Sequence, residues 1–177
     1  MSDAEIHPRR RLIVLRHAKS AWPDVADVDR PLAPRGRRDA PEAGRWLGRR
    51  GLVPDVVVSS PARRARETWE LVAAQLPGRP VVGFDPEVYG ADADGLVRVL
   101  RGQDRRAGTV LLVGHNPAMQ ELVLQLAAGT GGDALGRVRE KFPTCGLAVL
   151  ELSCEWSELG ESAASLVDFA IPRGARD

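Results

Sequence analysis

The sequence predicts an α/β protein with three layers, α/β/α, in which a mostly parallel central sheet carries helices on both faces. Three short apolar runs without helical periodicity, at residues 12–15, 56–59 and 110–113, each lead into polar residues. Strands of a parallel sheet are covered on both faces, so their sequences are continuous apolar runs. A chain of 177 residues suits one domain with a single core. We therefore predict one domain over residues 1–177, with residues 1–10 as a flexible leader.

Composition excludes several classes of function. The 25 basic and 24 acidic residues nearly cancel, whereas nucleic-acid binding requires a basic stripe. No run approaches the roughly 18 apolar residues of a membrane span, and the first residues lack the apolar core of a signal peptide. We expect a cytoplasmic protein with neither nucleic acid nor membrane as partner. Cys145 and Cys154 lack metal-ligand spacing and are expected as reduced thiols, and His7 is expected to be solvated.

The first predicted strand, residues 12–15, ends in Arg16 and His17. Ligands of open α/β sheets bind at the carboxyl ends of strands. Arginine offers a planar fork of donors to phosphate or carboxylate, and histidine acts as acid, base or nucleophile near neutral pH. The alternative is a strand end that happens to carry two polar residues.

Residues 21–35 form a loop that is too long for a mere connection, and loops of this kind are often functional. Lys19 and Ser20, just before it, are placed where they would touch a bound phosphate or the rest of a substrate, although a solvated lysine is an equal alternative. Trp22 either lines the mouth of a site or covers the core, and we favour the core.

A helix follows the loop and ends near Gly51. After the second strand, Val56–Ser59, we predict a helix with Ser60 as its cap and Pro61 at its first position. Arg64 then lies in the first helical turn, where the helix dipole opposes a cation. An anion held at this helix N-terminus explains the arginine better. The apolar stripes of the two helices comprise Ala40, Ala43, Trp46 and Leu47, and Ala65, Thr68, Trp69, Val72, Ala73 and Leu76.

The third strand, Val81–Phe84, is predicted near an edge because prolines bracket it. A helix at residues 96–100 precedes the fourth strand. Asn116 is predicted to cap the next helix, with Pro117 at its first position. That helix has a buried stripe of Met119, Leu122, Val123, Leu126 and Ala127, and it ends at Gly129. Residues 129–143 are predicted as a loop or short helix, followed by closing strands at residues 147–152 and 166–171.

Three ordered motifs carry a resemblance to a known family: Arg16-His17, Ser60-x-x-x-Arg64-Ala65-x-x-Thr68 and Gly114-His115-Asn116-Pro117. Together they resemble the histidine phosphatase superfamily, which has the phosphoglycerate-mutase-like fold. The short chain and the sequence Arg-His-Ala-Lys-Ser resemble the SixA-type phosphohistidine phosphatases. The resemblance extends from about residue 12 to about residue 152, and Asp29-Arg30-Pro31-Leu32 and Arg35-Gly36 match the family's loop before its first helix.

Parallel strands place their carboxyl ends on one edge of the sheet, so we expect His17, Arg64 and His115 to converge. One nucleophile among positive groups is what phosphoryl transfer needs. The resemblance implies that His17 attacks phosphorus and that water hydrolyses the resulting phosphohistidine. It also implies that Arg16 and Arg64 clamp the phosphoryl oxygens and that His115 donates a hydrogen bond. It implies no metal and no cofactor.

In the superfamily an acidic residue after the third strand often donates a proton to the leaving group. Glu87 is the acid in a comparable position here, and a surface carboxylate is the alternative. An imidazole leaving group departs easily once protonated, which weakens the need for a dedicated acid. Three functions are therefore considered: a phosphatase of phosphohistidine on a protein, a phosphatase of small phosphate esters, and a catalytically silent phosphate-binding module. The intact set of Arg16, His17, Arg64 and His115 argues against the last.

Overall fold

The computed structural model describes residues 9–175. Its strands are β1 Arg11–Arg16, β2 Val56–Ser59, β3 Val81–Phe84, β4 Thr109–Gly114, β5 Leu147–Leu152 and β6 Ala164–Ala170. Its α-helices are α1 Pro34–Arg49, α2 Arg63–Ala73, α3 Pro86–Gly90, α4 Ala93–Arg101, α5 Ala118–Leu126 and α6 Gly132–Glu140. Short 3-10 helices lie at Asp27–Asp29 and Trp156–Glu158.

The strands form one six-stranded sheet in the order β3-β2-β4-β1-β5-β6. The four strands from β3 to β1 are parallel, while β5 is antiparallel to β1 and β6 is antiparallel to β5. Arg16 is paired with Gly114, and Ser59 is paired with Val113. The carboxyl ends of β1, β4 and β2 therefore lie side by side at one edge of the sheet.

Both faces of the sheet are covered, which confirms the predicted three-layer α/β/α class. Leu12 and Val14 of β1 face a core formed with α4, α5 and α6. Ile13 and Leu15 face the opposite core, formed with α1 and α2. All four side chains have no exposed surface, and each contributes about 2 kcal/mol relative to an exposed position. The run at residues 12–15 is apolar throughout because the alternating side chains enter two different cores.

Two predicted helix starts are wrong. Helix α2 begins at Arg63, three residues after Ser60, and its N-cap position is Ala62. Ser60 therefore does not cap the helix, and Pro61 is not its first residue. Helix α5 begins at Ala118 with Pro117 as N-cap, one residue later than predicted. Ser60 instead lies at the sheet edge, where its hydroxyl contacts His115, whereas the Asn116 side-chain oxygen still accepts from the Gln120 amide in the first turn of α5.

The predicted flexible leader, residues 1–10, extends too far along the chain, because Arg10 is packed in the fold. Arg10 is buried, and its guanidinium donates to the carbonyl oxygen of Arg105 at 3.2 Å. Residues 1–8, including His7, lie outside the described residues. The segment 129–143 contains helix α6, and β3 lies at an edge of the sheet as predicted. None of the helices in residues 9–175 is both long enough and apolar enough to cross a membrane.

The loop between β1 and α1 returns to its starting point and closes tightly. Ser20 and Leu32 form an isolated antiparallel bridge, and the Ala33 amide donates to the Lys19 carbonyl oxygen at 2.8 Å. Gly36, in the first turn of α1, packs directly on this closure. A Cβ atom at Gly36 would lie 2.2 Å from the Lys19 carbonyl oxygen, so only glycine allows α1 to approach the segment that follows His17 this closely.

We expect Gly36→Ala to lower the free energy of unfolding by about 1–3 kcal/mol, because the new methyl group overlaps with backbone. The matched control is Gly48→Ala in the same helix, where the nearest atom to a Cβ would be 3.6 Å away. That variant should keep wild-type stability or gain up to about 1 kcal/mol from better helix propensity. Urea unfolding of both variants measures the difference, and equal stabilities would contradict the close approach.

Candidate active site

Backbone hydrogen bonds place three polar side chains at neighbouring strand ends. The His17 amide donates to the Gly114 carbonyl oxygen at 3.0 Å, and the Ser60 amide donates to the Val113 carbonyl oxygen at 3.0 Å. His17 and Ser60 thus continue the sheet pairing beyond the ends of β1 and β2. His115 directly follows the last residue of β4. The rings of His17 and His115 lie 5.1 Å apart between centroids.

The His17 ring is held in one tautomer. Its Nδ1 lies 2.7 Å from the carbonyl oxygen of Ala18, and because a carbonyl oxygen only accepts, Nδ1 carries the proton. The side chain is 7% exposed, and burial lowers the pKa of His17 to about 3. A neutral ring protonated on Nδ1 has a free lone pair on Nε2. Nε2 of His17 therefore carries an unprotonated lone pair near neutral pH.

Thr68 links this histidine to helix α2. Its hydroxyl donates to the Arg64 carbonyl oxygen at 2.6 Å and accepts from the Ala18 amide at 3.0 Å. Ala18 in turn supplies the carbonyl oxygen that holds Nδ1 of His17. The hydroxyl is fully buried, so water does not compete for it. The helix that carries Arg64 and the loop that orients His17 are thus joined at one side chain.

His115 is oriented by Ser60, a contact that the sequence reasoning did not foresee. Nε2 of His115 lies 2.8 Å from Oγ of Ser60. Tyr89 of α3 packs against the same ring, edge on, with centroids 5.6 Å apart. Burial, followed by the positive charge of Arg64, lowers the pKa of His115 to about 4. His115 is therefore also a neutral ring near pH 7.

Arg16 is held by the backbone of Phe142, two residues after the end of helix α6. Its Nη1 donates to the Phe142 carbonyl oxygen at 2.9 Å, and burial lowers the pKa of its guanidinium. The side-chain amide of Asn116 donates to the same carbonyl oxygen at 2.9 Å, while its oxygen accepts from the Gln120 amide at 3.3 Å. Within residues 9–175, two buried nitrogen atoms of this cluster have no hydrogen-bond partner: Nε of Arg16 and Nδ1 of His115.

Arg64 is buried and faces the loop after β1. Its Nη1 donates to the Asp27 carbonyl oxygen at 2.6 Å, and its Nη2 donates to the Asp27 carboxylate at 3.0 Å. Tyr89 donates to the same carboxylate at 2.6 Å. The sequence analysis missed both Asp27 and Tyr89, which lie 37 residues before and 25 residues after Arg64. No local pattern marks contacts of that separation.

The structure brings Arg16, His17, Arg64 and His115 together, and it distributes the other candidate residues differently. Lys19 is exposed, and the Ser20 hydroxyl accepts from Nη2 of Arg30 at 2.6 Å. The Glu87 side chain is exposed, and within the described part of the chain no hydrogen bond or ion pair joins it to those four residues. The roles of Lys19, Ser20 and Glu87 stay predictions.

The preference for Trp22 as a core residue is wrong. Its side chain is 76% exposed, and its ring lies against the guanidinium of Arg30, 3.2 Å from the ring centroid. A charged group stacked on an aromatic face explains why this tryptophan stays at the surface. Val25 and Val28 of the same loop are also exposed. The loop therefore presents apolar surface next to Asp27.

In the part of the chain that the structure describes, this edge of the sheet contains neither a cluster of metal ligands nor an ionised thiol. Among residues 9–175, no group of three or more His, Cys, Asp or Glu side chains is arranged to hold a metal ion. Both cysteines are free thiols. Burial raises the pKa of Cys145 to about 12, so its thiol is not ionised near neutral pH.

Comparison with known proteins gives consistent results. Residues 12–87 match the family model of the histidine phosphatase superfamily, branch 1. An uncharacterized protein of Mycobacterium tuberculosis is 41% identical over 162 residues, which cover 90% of this chain and all of the relative. The solved structure of a candidate phosphohistidine phosphatase SixA from Nakamurella multipartitia is 33% identical, with a TM-score of 0.80 over 93% of this chain and 96% of that one.

A second candidate phosphohistidine phosphatase SixA, from Agrobacterium tumefaciens, is 32% identical, with a TM-score of 0.77 over 92% of this chain and 98% of the other. These likenesses support phosphatase activity. The chain belongs to the histidine phosphatase superfamily and is similar to its SixA-type members.

Proposed function

We propose that the protein is a metal-independent phosphatase that works through a phosphohistidine intermediate on His17 and removes phosphate from phosphohistidine on a protein. The observation that carries this proposal is the state of the His17 ring. The ring is buried and neutral, and its Nδ1 proton is bound to a carbonyl oxygen. Such a ring presents an unprotonated Nε2 at neutral pH without help from a separate base.

The charges around His17 suit a phosphoryl group. Arg16 and Arg64 supply guanidinium donors whose charges act on His17, and fixed donors of this kind stabilise the equatorial oxygens during phosphoryl transfer. The buried Nε of Arg16 and Nδ1 of His115 have no partner among the described residues. A buried polar atom without a partner costs about 1–3 kcal/mol. A phosphoryl oxygen would satisfy such donors.

The reaction proceeds in two in-line displacements. In the first, a bond forms between Nε2 of His17 and phosphorus as the bond to the leaving group breaks. In the second, water attacks phosphorus, the P–N bond to His17 breaks, and inorganic phosphate leaves. The histidine ring of a phosphohistidine substrate departs as neutral imidazole when its other ring nitrogen is already protonated. That route requires no strong general acid from the protein.

A protein substrate is supported by the surface beside the cluster. Trp22, Val25 and Val28 are exposed on the loop that also carries Asp27. Exposed apolar side chains around a polar site are typical of surfaces that meet another protein. The similarity to the two SixA structures points in the same direction.

Small phosphate esters are a second candidate substrate class. They are favoured by Glu87, which lies on the same short helix α3 as Tyr89, the residue that packs against His115. An alkoxide leaving group is a strong base, so ester hydrolysis gains from an acid in this region.

His17→Ala should abolish turnover and leave the fold intact, because the ring is the proposed nucleophile. Brief reaction of the wild type with ³²P-labelled substrate, quenched in alkali, should trap acid-labile phosphate on His17. The matched variant His115→Ala keeps the nucleophile, so we expect slow but detectable labelling. Normal turnover by His17→Ala would overturn the mechanism.

Glu87→Gln separates the two substrate classes. If Glu87 is the proton donor, ester hydrolysis should fall by about 10²–10⁴, while phosphohistidine hydrolysis should hardly change because solvent can protonate the imidazole. We expect this selective loss. Glu70→Gln, at another exposed glutamate, is the control. Unchanged rates on both substrates would make Glu87 a surface carboxylate, and an equal, severe loss on both would make it a residue that positions the site.

A further inference from the structure

Asp27 presents a fixed carboxylate at the mouth of the cluster. It accepts hydrogen bonds from Nη1 of Arg30 at 2.9 Å, from Nη2 of Arg64 at 3.0 Å and from the Tyr89 hydroxyl at 2.6 Å. These donors come from the loop after β1, from α2 and from α3. Its side chain is nevertheless 51% exposed. The carboxylate is therefore held in place from three directions and open on its remaining side.

This carboxylate is an acceptor and not an acid. The hydrogen bond from Tyr89, followed by that from Arg30, holds the pKa of Asp27 well below its usual range. An ionised carboxylate offers about four acceptor positions and no proton. Three of these positions are used by the donors named above. The open side is suited to one more N–H donor, and a cationic donor fits best.

Arg64 places this acceptor close to the reacting group. In the proposed function Arg64 clamps the phosphoryl group, and its Nη2 also donates to Asp27. The carboxylate and the phosphoryl group are thus two acceptors of a single guanidinium. In a phosphohistidine, the second ring nitrogen lies one ring width from the phosphorus. That separation is comparable with the distance between two acceptors of one guanidinium.

We propose that Asp27 is a specificity-determining residue, which accepts a hydrogen bond from the far ring nitrogen of a protonated phosphohistidine and so selects an imidazole leaving group. This inference rests on the proposed function. The substrate enters with a proton on the far nitrogen. As the bond from His17 to phosphorus forms, the P–N bond of the substrate breaks and its electron pair stays on the near nitrogen. The leaving group is neutral imidazole.

The same charge disfavours ester substrates. When an aryl phosphate is cleaved, negative charge develops on the leaving oxygen, and the Asp27 carboxylate repels it. Removal of the charge should therefore change the two kinds of substrate in opposite directions. A residue that only orients Arg64 would change both in the same direction, because Arg64 serves the phosphoryl group of either substrate.

The pH dependence offers a second, independent readout. Asp27 faces Arg30 from its own loop, Arg64 from α2 and Tyr89 from α3, and it acts through its charge on His115. The hydrogen bond to Asp27 raises the pKa of Tyr89, and His115 is neutral above about pH 4. The alkaline limb of kcat/KM below pH 9 then reports protonation of the substrate imidazole, which Asp27 favours.

The test compares wild type, Asp27→Asn and the control Asp29→Asn on the full chain. Asp29 lies on the same 3-10 helix and is exposed. The substrates are a phosphohistidine peptide and p-nitrophenyl phosphate, and kcat/KM is measured from pH 5 to 9. For Asp27→Asn we expect a loss of about tenfold to a hundredfold on the peptide, the usual scale of a charged hydrogen bond. We also expect a gain of severalfold on the ester and an alkaline limb about one pH unit lower.

The control should match wild type on both substrates. Parallel losses on the two substrates, no change on either, or gains on both would each overturn the inference, the last by making Asp27 a competitor of the phosphoryl group. If the wild type cleaves the ester and never the peptide, the proposed function itself fails. If Asp27→Asn does not fold, Asp27→Ser removes the same charge and takes its place in the comparison.

Discussion

The hydrogen bond from Nδ1 of His17 to the Ala18 carbonyl oxygen is the contact on which the geometry of the cluster depends. It leaves Nε2 as the unprotonated atom and prevents rotation of the ring. Ala18 is itself held by Thr68, whose hydroxyl also binds the Arg64 carbonyl oxygen. His17 and Arg64 of α2 are therefore joined by one chain of hydrogen bonds. A shift of α2 would change the direction of the His17 lone pair as well as the position of Arg64.

The cluster places positive charge beside two neutral histidines at the sheet edge. Arg16 and Arg64 lie near each other and act on two neutral histidines, while Asp27 supplies the negative charge that faces Arg64. Two buried nitrogen atoms of the cluster have no hydrogen-bond partner in the described chain. The two apolar cores on either side of β1 stabilise the fold enough to tolerate this cost. Buried polar atoms without a partner occur mainly at functional sites, where a bound ligand supplies the missing hydrogen bond.

Sequence patterns predict the fold better than they predict the contacts within the cluster. The apolar runs at residues 12–15 and 56–59 mark strands because each side chain enters a core. Ser60 is predicted as a helix cap because Pro61 follows it at a helix start. A local pattern of this kind cannot show that the Ser60 hydroxyl binds His115, 55 residues away. The contact between Tyr89 and Asp27 spans 62 residues and carries no periodic signal. The exposure of Trp22 cannot be predicted from its neighbours in sequence, because it depends on the stacked guanidinium of Arg30.

Because the loop after β1 closes tightly, the position of the sheet edge that carries His17 does not depend on the length of that loop. The bridge between Ser20 and Leu32 and the hydrogen bond from the Ala21 amide to the Pro31 carbonyl oxygen bring the two ends of the segment together. A longer segment can therefore be inserted between these ends without displacing β1 or α1, as long as Asp27 and Arg30 keep their contacts. Doubling the length of such a segment costs only about 0.6 kcal/mol in closure entropy. Outside Asp27 and Arg30, the loop can accept an inserted lid or recognition arm while His17 stays in place.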